Sequence, residues 1–196
     1  MHDCWASCFS AEFGGARHAL CGSHLLGELA FVEESNAYVW AGNLRRLLQQ
    51  ACGEVSASET KCLDKTAYAR LQRRYRNLLT RAEREMPPIP QRQGARGGKV
   101  AKSDAHNLCE RLRKHEAAVL LFAKEALVPF TNNRAERDLR MGKVKQKVSG
   151  CFRTERYAKA YCRISSYLQS MAYQGVNPLV AIQMALGGQL YAEKPE

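Results

Sequence analysis

The chain has 196 residues, 45% of them hydrophobic and 25% charged, and its 30 Lys and Arg against 19 Asp and Glu give a formal net charge of +11. That composition belongs to a globular chain long enough to bury one core, not to a disordered one. The longest purely apolar run, residues 117–123, is far short of the roughly 20 residues a membrane helix needs, and no basic stretch followed by an apolar one opens the chain, so neither a membrane protein nor a secreted one is expected.

In chain order, residues 1–9 read as the exit of a strand or a loop, and His18 to Cys21 as a short strand. From Gly22, the apolar residues Leu25, Leu29 and Val32 recur at helical spacing. Trp40, Leu44, Leu47, Leu48 and Ala51 predict a second helix, which Gly53 can end. Tyr68, Leu71, Tyr75, Leu78, Leu79 and Ala82 form the stripe of a third, with Arg70, Arg73, Arg74 and Arg81 on its solvent side. Residues 86–103 hold Pro87, Pro88, Pro90, Gly94, Gly97 and Gly98 among basic residues, with almost nothing to bury, and read as a flexible basic linker or an exposed loop.

A fourth helix follows, with Leu108, Leu112, His115, Val119 and Phe122 on one face, His115 as a packed or boundary histidine rather than a metal ligand. Pro129 interrupts it. Asn133 then offers an N-cap, with Glu136 three residues on as in a capping box, and Ser149-Gly150 closes that helix. Thr154 opens another, with Tyr161, Ile164, Leu168 and Met171 as its buried stripe and Gly175 as its end. Asn177-Pro178 starts a last helix that stops at Gly187-Gly188. The expected fold is mainly α.

The positive charge is concentrated: residues 61–114 carry a balance of +10 and residues 132–163 one of +7. Basic excess in blocks is the footprint of a polyanion partner, above all nucleic acid, or of a well-solvated helix face. The eight cysteines are scattered without a repeated CxxC pair and read as reduced thiols.

The chemistry is densest in residues 128–154, VPFTNNRAERDLRMGKVKQKVSGCFRT. On a helix Glu136, Arg140, Lys143 and Lys147 share one face, so a single acid opens a basic stripe. A carboxylate there can hold a divalent cation while the cations beside it hold a phosphodiester strand; it can equally cap the helix or pair with Arg140.

This stretch resembles the C-terminal signature of transposases of the insertion sequence 66 family, bacterial DDE enzymes with a ribonuclease-H-like core. The resemblance implies that Glu136, in the "NN-x-AER" motif, is the third catalytic carboxylate. It implies that Asp3, in the "HD-x-W" motif His2-Asp3-Cys4-Trp5, is the second. Cys21-Gly22-Ser23-His24 and Glu28-Leu29 match the "C-x-x-H" motif and the "REL"-like helix that follow in the family. Gly27 stands where that family has arginine, and Cys8 where an aromatic is common. The match runs from Met1 to about Gly188.

What the resemblance implies is concrete. Residues 1–35 and 128–188 would be catalytic-core segments carrying the second and third acids. Residues 36–127 would be an all-helical insertion, and 189–196 a tail. The first aspartate, the central strands of the α/β core and the family's DNA-binding region would all precede residue 1, making this a C-terminal fragment, catalytically incomplete alone. Mg²⁺ or Mn²⁺ is the expected cofactor, held by Asp3 and Glu136. DNA is the expected partner, contacted by Arg134, Arg137, Arg140, Lys143, Lys145, Lys147 and Arg153, in the bacterial cytoplasm. The alternative function is a non-catalytic, basic DNA-binding remnant of a mobile element. Cys21 and His24 could ligate zinc with Cys4 and Cys8, but a single C-x-x-H is a short motif, so the role that the resemblance implies, organising the core or contacting DNA, is expected instead and zinc is not. Without the strands, apolar helix faces would lie exposed, favouring association with a second copy or with the missing part.

Overall fold

A computed structural model describes residues 1–89, 101–148 and 150–189. The described chain is helical, and the expected strand at His18–Cys21 reduces to one parallel bridge, His2 to Leu20. Two compact units divide the chain, Met1–Asn133 and Arg134–Glu196.

The first unit is built on α1 (Gly22–Asn36), α2 (Val39–Ala57), α3 (Lys65–Glu85) and α4 (Asp104–Lys114). The apolar stripes fall where the 3.6-residue period puts them. Leu25, Leu29 and Val32 of α1, Trp40, Leu44, Leu47, Leu48 and Ala51 of α2, and Leu71, Tyr75, Leu79 and Ala82 of α3 are buried in one core. Gly53 does not end α2, which runs on to Ala57; the glycine faces open space inside the helix. The start of α3 is fixed by Asp64, whose carboxylate accepts from the Thr66 and Ala67 N–H groups at 2.7 and 2.9 Å.

The fourth helix is broken where its apolar pattern continues. α4 ends at Lys114, and two single turns follow, α5 (Glu116–Val119) and α6 (Leu121–Lys124). His115 and Leu120 leave helical geometry, at φ −110°, ψ 26° and φ −95°, ψ 4°. Carbonyls freed from the helical ladder serve distant segments: Ala118 accepts from the Leu20 N–H at 3.0 Å and Ala123 from the Leu63 N–H at 2.8 Å. The chain is already extended at Glu125, so Pro129 has no helix left to interrupt.

Residues 90–100 of the expected linker lie outside the described residues, but its described ends do bury surface. Met86 is in the core, the Pro87 carbonyl hydrogen-bonds His106 Nε2 at 3.0 Å, and Ser103 caps α4 by accepting from the His106 N–H.

The second unit comprises α7 (Asn133–Val148, whose first residue closes the first unit), α8 (Glu155–Tyr173) and α9 (Pro178–Leu186). Thr154 and Asn177 cap α8 and α9, and Gly175 and Gly188 take positive φ after each, at +80° and +77°. Asn133 lies inside α7 as its first residue, so Glu136 falls one position beyond N3 and the capping box is not formed. Ser149 lies outside the described residues. The stripe expected on α8 is only partly covered: Met171 is buried, but Ile164 is 60% exposed. Most apolar side chains described in this unit are exposed, Leu139, Val148, Leu179 and Leu186 among them.

Candidate functional site

The first unit assembles three of the predicted site residues at the N-terminus of α1. The His2–Leu20 bridge carries two backbone bonds, His2 N–H to the Ala19 carbonyl at 3.0 Å and Cys21 N–H to the His2 carbonyl at 3.1 Å. The bridge lays Asp3 beside Cys21. Cys21 occupies the N-cap position of α1 and His24 its first turn, so the i, i+3 spacing turns both side chains to one side. The Asp3 carboxylate, the Cys21 thiol and the His24 imidazole each place a ligand atom within 4.8 Å of the other two. His24 Nδ1 and Asp3 Oδ1 are 3.3 Å apart. Asp3 Oδ1 is buried and accepts no hydrogen bond. Cys4 and Cys8 stand outside this group, so the four-ligand set entertained from the sequence is not formed.

The support around the trio was not legible from motifs. Residues 130–132 lie across the start of α1: the Gly22 N–H donates to the Phe130 carbonyl at 2.8 Å, and the Asn132 N–H to Cys21 Sγ at 3.3 Å. Gly22 is required there, because a Cβ would come within 2.4 Å of the Phe130 ring. His2 is locked by accepting from the Cys4 N–H through Nδ1 at 3.2 Å and pairing its Nε2 with His18 at 3.1 Å. Burial first, then His18, lowers the His2 pKa, in keeping with a neutral ring. Phe9 stacks on His115 with centroids 4.0 Å apart, which makes His115 the packed histidine expected. Glu28, of the "REL"-like helix, pairs with Arg111 of α4.

Basic residues occupy two faces. On α3, Arg70, Arg73, Arg74, Arg81 and Arg84 are exposed and form no ion pair among the described residues, whereas Arg76 is held by Glu116, and Glu83 of α3 holds Arg113 of α4. Arg74 and Arg81 join Arg46 of α2 along an open groove of about 510 Å³. In the second unit, Glu136 sits in the first turn of α7. Arg134, Arg137, Arg140, Lys143, Lys145 and Lys147 are exposed along that helix, and Arg153 beyond it. Arg134 lies over the Tyr173 ring at 3.8 Å, and Tyr173 donates to Asp138 Oδ1 at 2.7 Å, which fixes α7 on α8.

The family model of the transposase IS66 family matches residues 1–160. The chain belongs to that family, whose activity is DNA transposition. No curated protein and no solved structure matches it. No helix among the described residues is long and apolar enough to cross a membrane.

Proposed function

We propose that this chain acts in DNA transposition as part of a DDE transposase, with Asp3 and Glu136 as the second and third acids of a metal-dependent strand cleavage and transfer. The observation that carries this reading is the placement of the "HD-x-W" aspartate: the bridge to Leu20 holds Asp3 beside two further donor side chains, with a buried oxygen that has no hydrogen-bond donor. A carboxylate left in that condition suits a cation. Glu136 supplies the second hard oxygen donor. A divalent ion bound by these carboxylates would activate an attacking oxygen and stabilise a leaving one. The chain's own part is to supply those carboxylates and to hold the strand on the basic faces of α3 and α7. The ribonuclease-H-like core is part of the same proposal.

The test is a Mn²⁺- or Mg²⁺-dependent cleavage and strand-transfer assay on this chain, alone and with an upstream catalytic segment of the family added in trans. Activity that survives Glu136→Gln unchanged sinks the assignment of Glu136. The alternative, DNA binding without catalysis, is favoured by the exposed α3 arginines and predicts binding with no cleavage under any of these conditions. Both readings require salt-sensitive affinity, log K falling by about 0.9 per log unit of salt for each phosphate neutralised. Replacing Arg74 and Arg81 together by Ala should flatten that slope by roughly 1–2; an unchanged slope removes the α2–α3 groove from the DNA path.

A further inference from the structure

We infer that Trp5 is a stacking platform for a base of an unpaired DNA strand, held beside the carboxylate of Asp3. The inference deepens the proposed reading, in which Asp3 serves strand cleavage, and rests on that reading for the presence of DNA there. The tryptophan closes the "HD-x-W" motif, yet it belongs neither to the core nor to the donor atoms around Asp3. It is 70% exposed, the most exposed aromatic side chain among the described residues.

Three observations separate this ring from ordinary surface. The segment that carries it is anchored. Trp5 precedes the 3-10 turn Ala6–Phe9, and its carbonyl accepts from the Cys8 N–H at 3.0 Å. Cys4 and Phe9, on either side, pack against the core, and Phe9 stacks on His115. The ring thus stands in solvent although its neighbours are fixed, and such a preorganised face loses little ordering entropy on binding. The backbone is also strained where it turns outward. Cys4 sits at φ +66°, a left-handed conformation that a Cβ disfavours, and its N–H is held by His2 Nδ1 at 3.2 Å. Strain of this kind persists where the surroundings over-determine it, and here it falls between Asp3 and Trp5. Finally, the surroundings suit a nucleotide. At most about 7 Å of backbone separates Asp3 from Trp5. The exposed Lys114, next to His115, acts electrostatically on Cys4, which supplies a cation for the phosphate. Stacking on an aromatic side chain is open to every base, because each has a π-face, but a base inside a duplex must first leave its own stack.

Intrinsic fluorescence of the full chain tests this, because its two tryptophans report separately: Trp40 is 1% exposed and emits at short wavelength, Trp5 at long wavelength. The probes are oligo(dT) and a blunt DNA duplex of equal length. Oligo(dT) should quench the long-wavelength emission to saturation and leave the short-wavelength emission alone, and the duplex should quench far less. Trp5→Ala should weaken oligo(dT) binding roughly 5- to 100-fold by fluorescence anisotropy of a labelled strand. Trp5→Phe, which keeps a ring, should restore most of that loss, with far-ultraviolet circular dichroism unchanged in both variants. The dependence of affinity on salt should keep its slope in Trp5→Ala, since an uncharged ring releases no counterions. Equal quenching by the duplex, no affinity for oligo(dT), or parent-like oligo(dT) affinity in Trp5→Ala overturns the inference. So does long-wavelength emission that follows protein concentration and not oligo(dT), which assigns the ring to a contact with a second copy of the chain. The catalytic proposal fails separately, through strand cleavage that is indifferent to Glu136→Gln.

Discussion

Gly27 and Gly22 lie in the same helix and should respond oppositely to one methyl group. No atom lies within 4 Å of where a Gly27 Cβ would stand, and the backbone there is ordinary helix. Gly27→Ala removes unfolded-state freedom and should stabilise by roughly 0.5–1 kcal/mol. Gly22→Ala drives a Cβ into the Phe130 ring and should destabilise by about 1–3 kcal/mol. Urea unfolding of the two variants checks both signs. The departure from the family at Gly27 is therefore one of helix propensity and not of space. His115 is held below its ordinary pKa of 6.5, by burial first and by Lys114 and Arg111 next. The unfolded chain takes up that proton at higher pH than the folded one, so the His115 contribution is complete above about pH 6.5 and declines below it. The urea midpoint should drop between pH 7.5 and pH 5.5, and His115→Gln should reduce that drop.

At the scale of elements, the start of α2 depends on the end of α3. Tyr38, the N-cap of α2, offers no side-chain acceptor; the Glu85 carboxylate instead accepts from the Val39 and Trp40 N–H groups at 2.5 and 3.0 Å. Glu85→Ala should cost about 1 kcal/mol in a thermal or urea melt and Glu85→Gln less, since one amide oxygen remains to accept. Such a cap is invisible to a reading that looks three residues ahead, because its partner lies 46 residues beyond Val39. What the sequence does disclose is periodicity. The stripes of α1, α2 and α3 were readable because each helix buries one face in a shared core. The same signal misleads at His115, where an unbroken stripe hides two backbone breaks made by hydrogen bonds to Leu20 and Leu63. It misleads again on α8, where an apolar stripe exists without a layer to cover it. For the candidate site, motifs pointed to Asp3 by itself and to Cys21 and His24 as a pair. Only the bridge puts them together, and the Asn132 contact to Cys21 has no local sequence signal.

Across the whole molecule, stability is distributed unevenly between the units. The first holds nearly all the buried apolar residues, while Met171 and Ala181 are the buried ones described in the second. Few buried contacts mean low-energy opening. Amides of α1 to α4 should therefore exchange slowly and those of α7 to α9 fast, when hydrogen exchange is followed by mass spectrometry. Equal protection in both units would contradict this picture. Leu139, Val148, Leu179 and Leu186 are more than 60% exposed, and such surface promotes association. Sedimentation velocity should show concentration-dependent species, and a single monomer boundary at every concentration would remove that expectation.

The strap formed by residues 130–132 has a consequence for biosynthesis. Asp3, Cys21 and His24 leave the ribosome well before Ala118, Phe130 and Asn132, whose bonds secure the start of α1. At about 5–20 residues per second, several seconds pass before those partners emerge. The segment that carries these residues thus waits for the later one before it reaches its final form. A nascent polypeptide arrested before Phe130 will carry the motif without the environment that makes it a site.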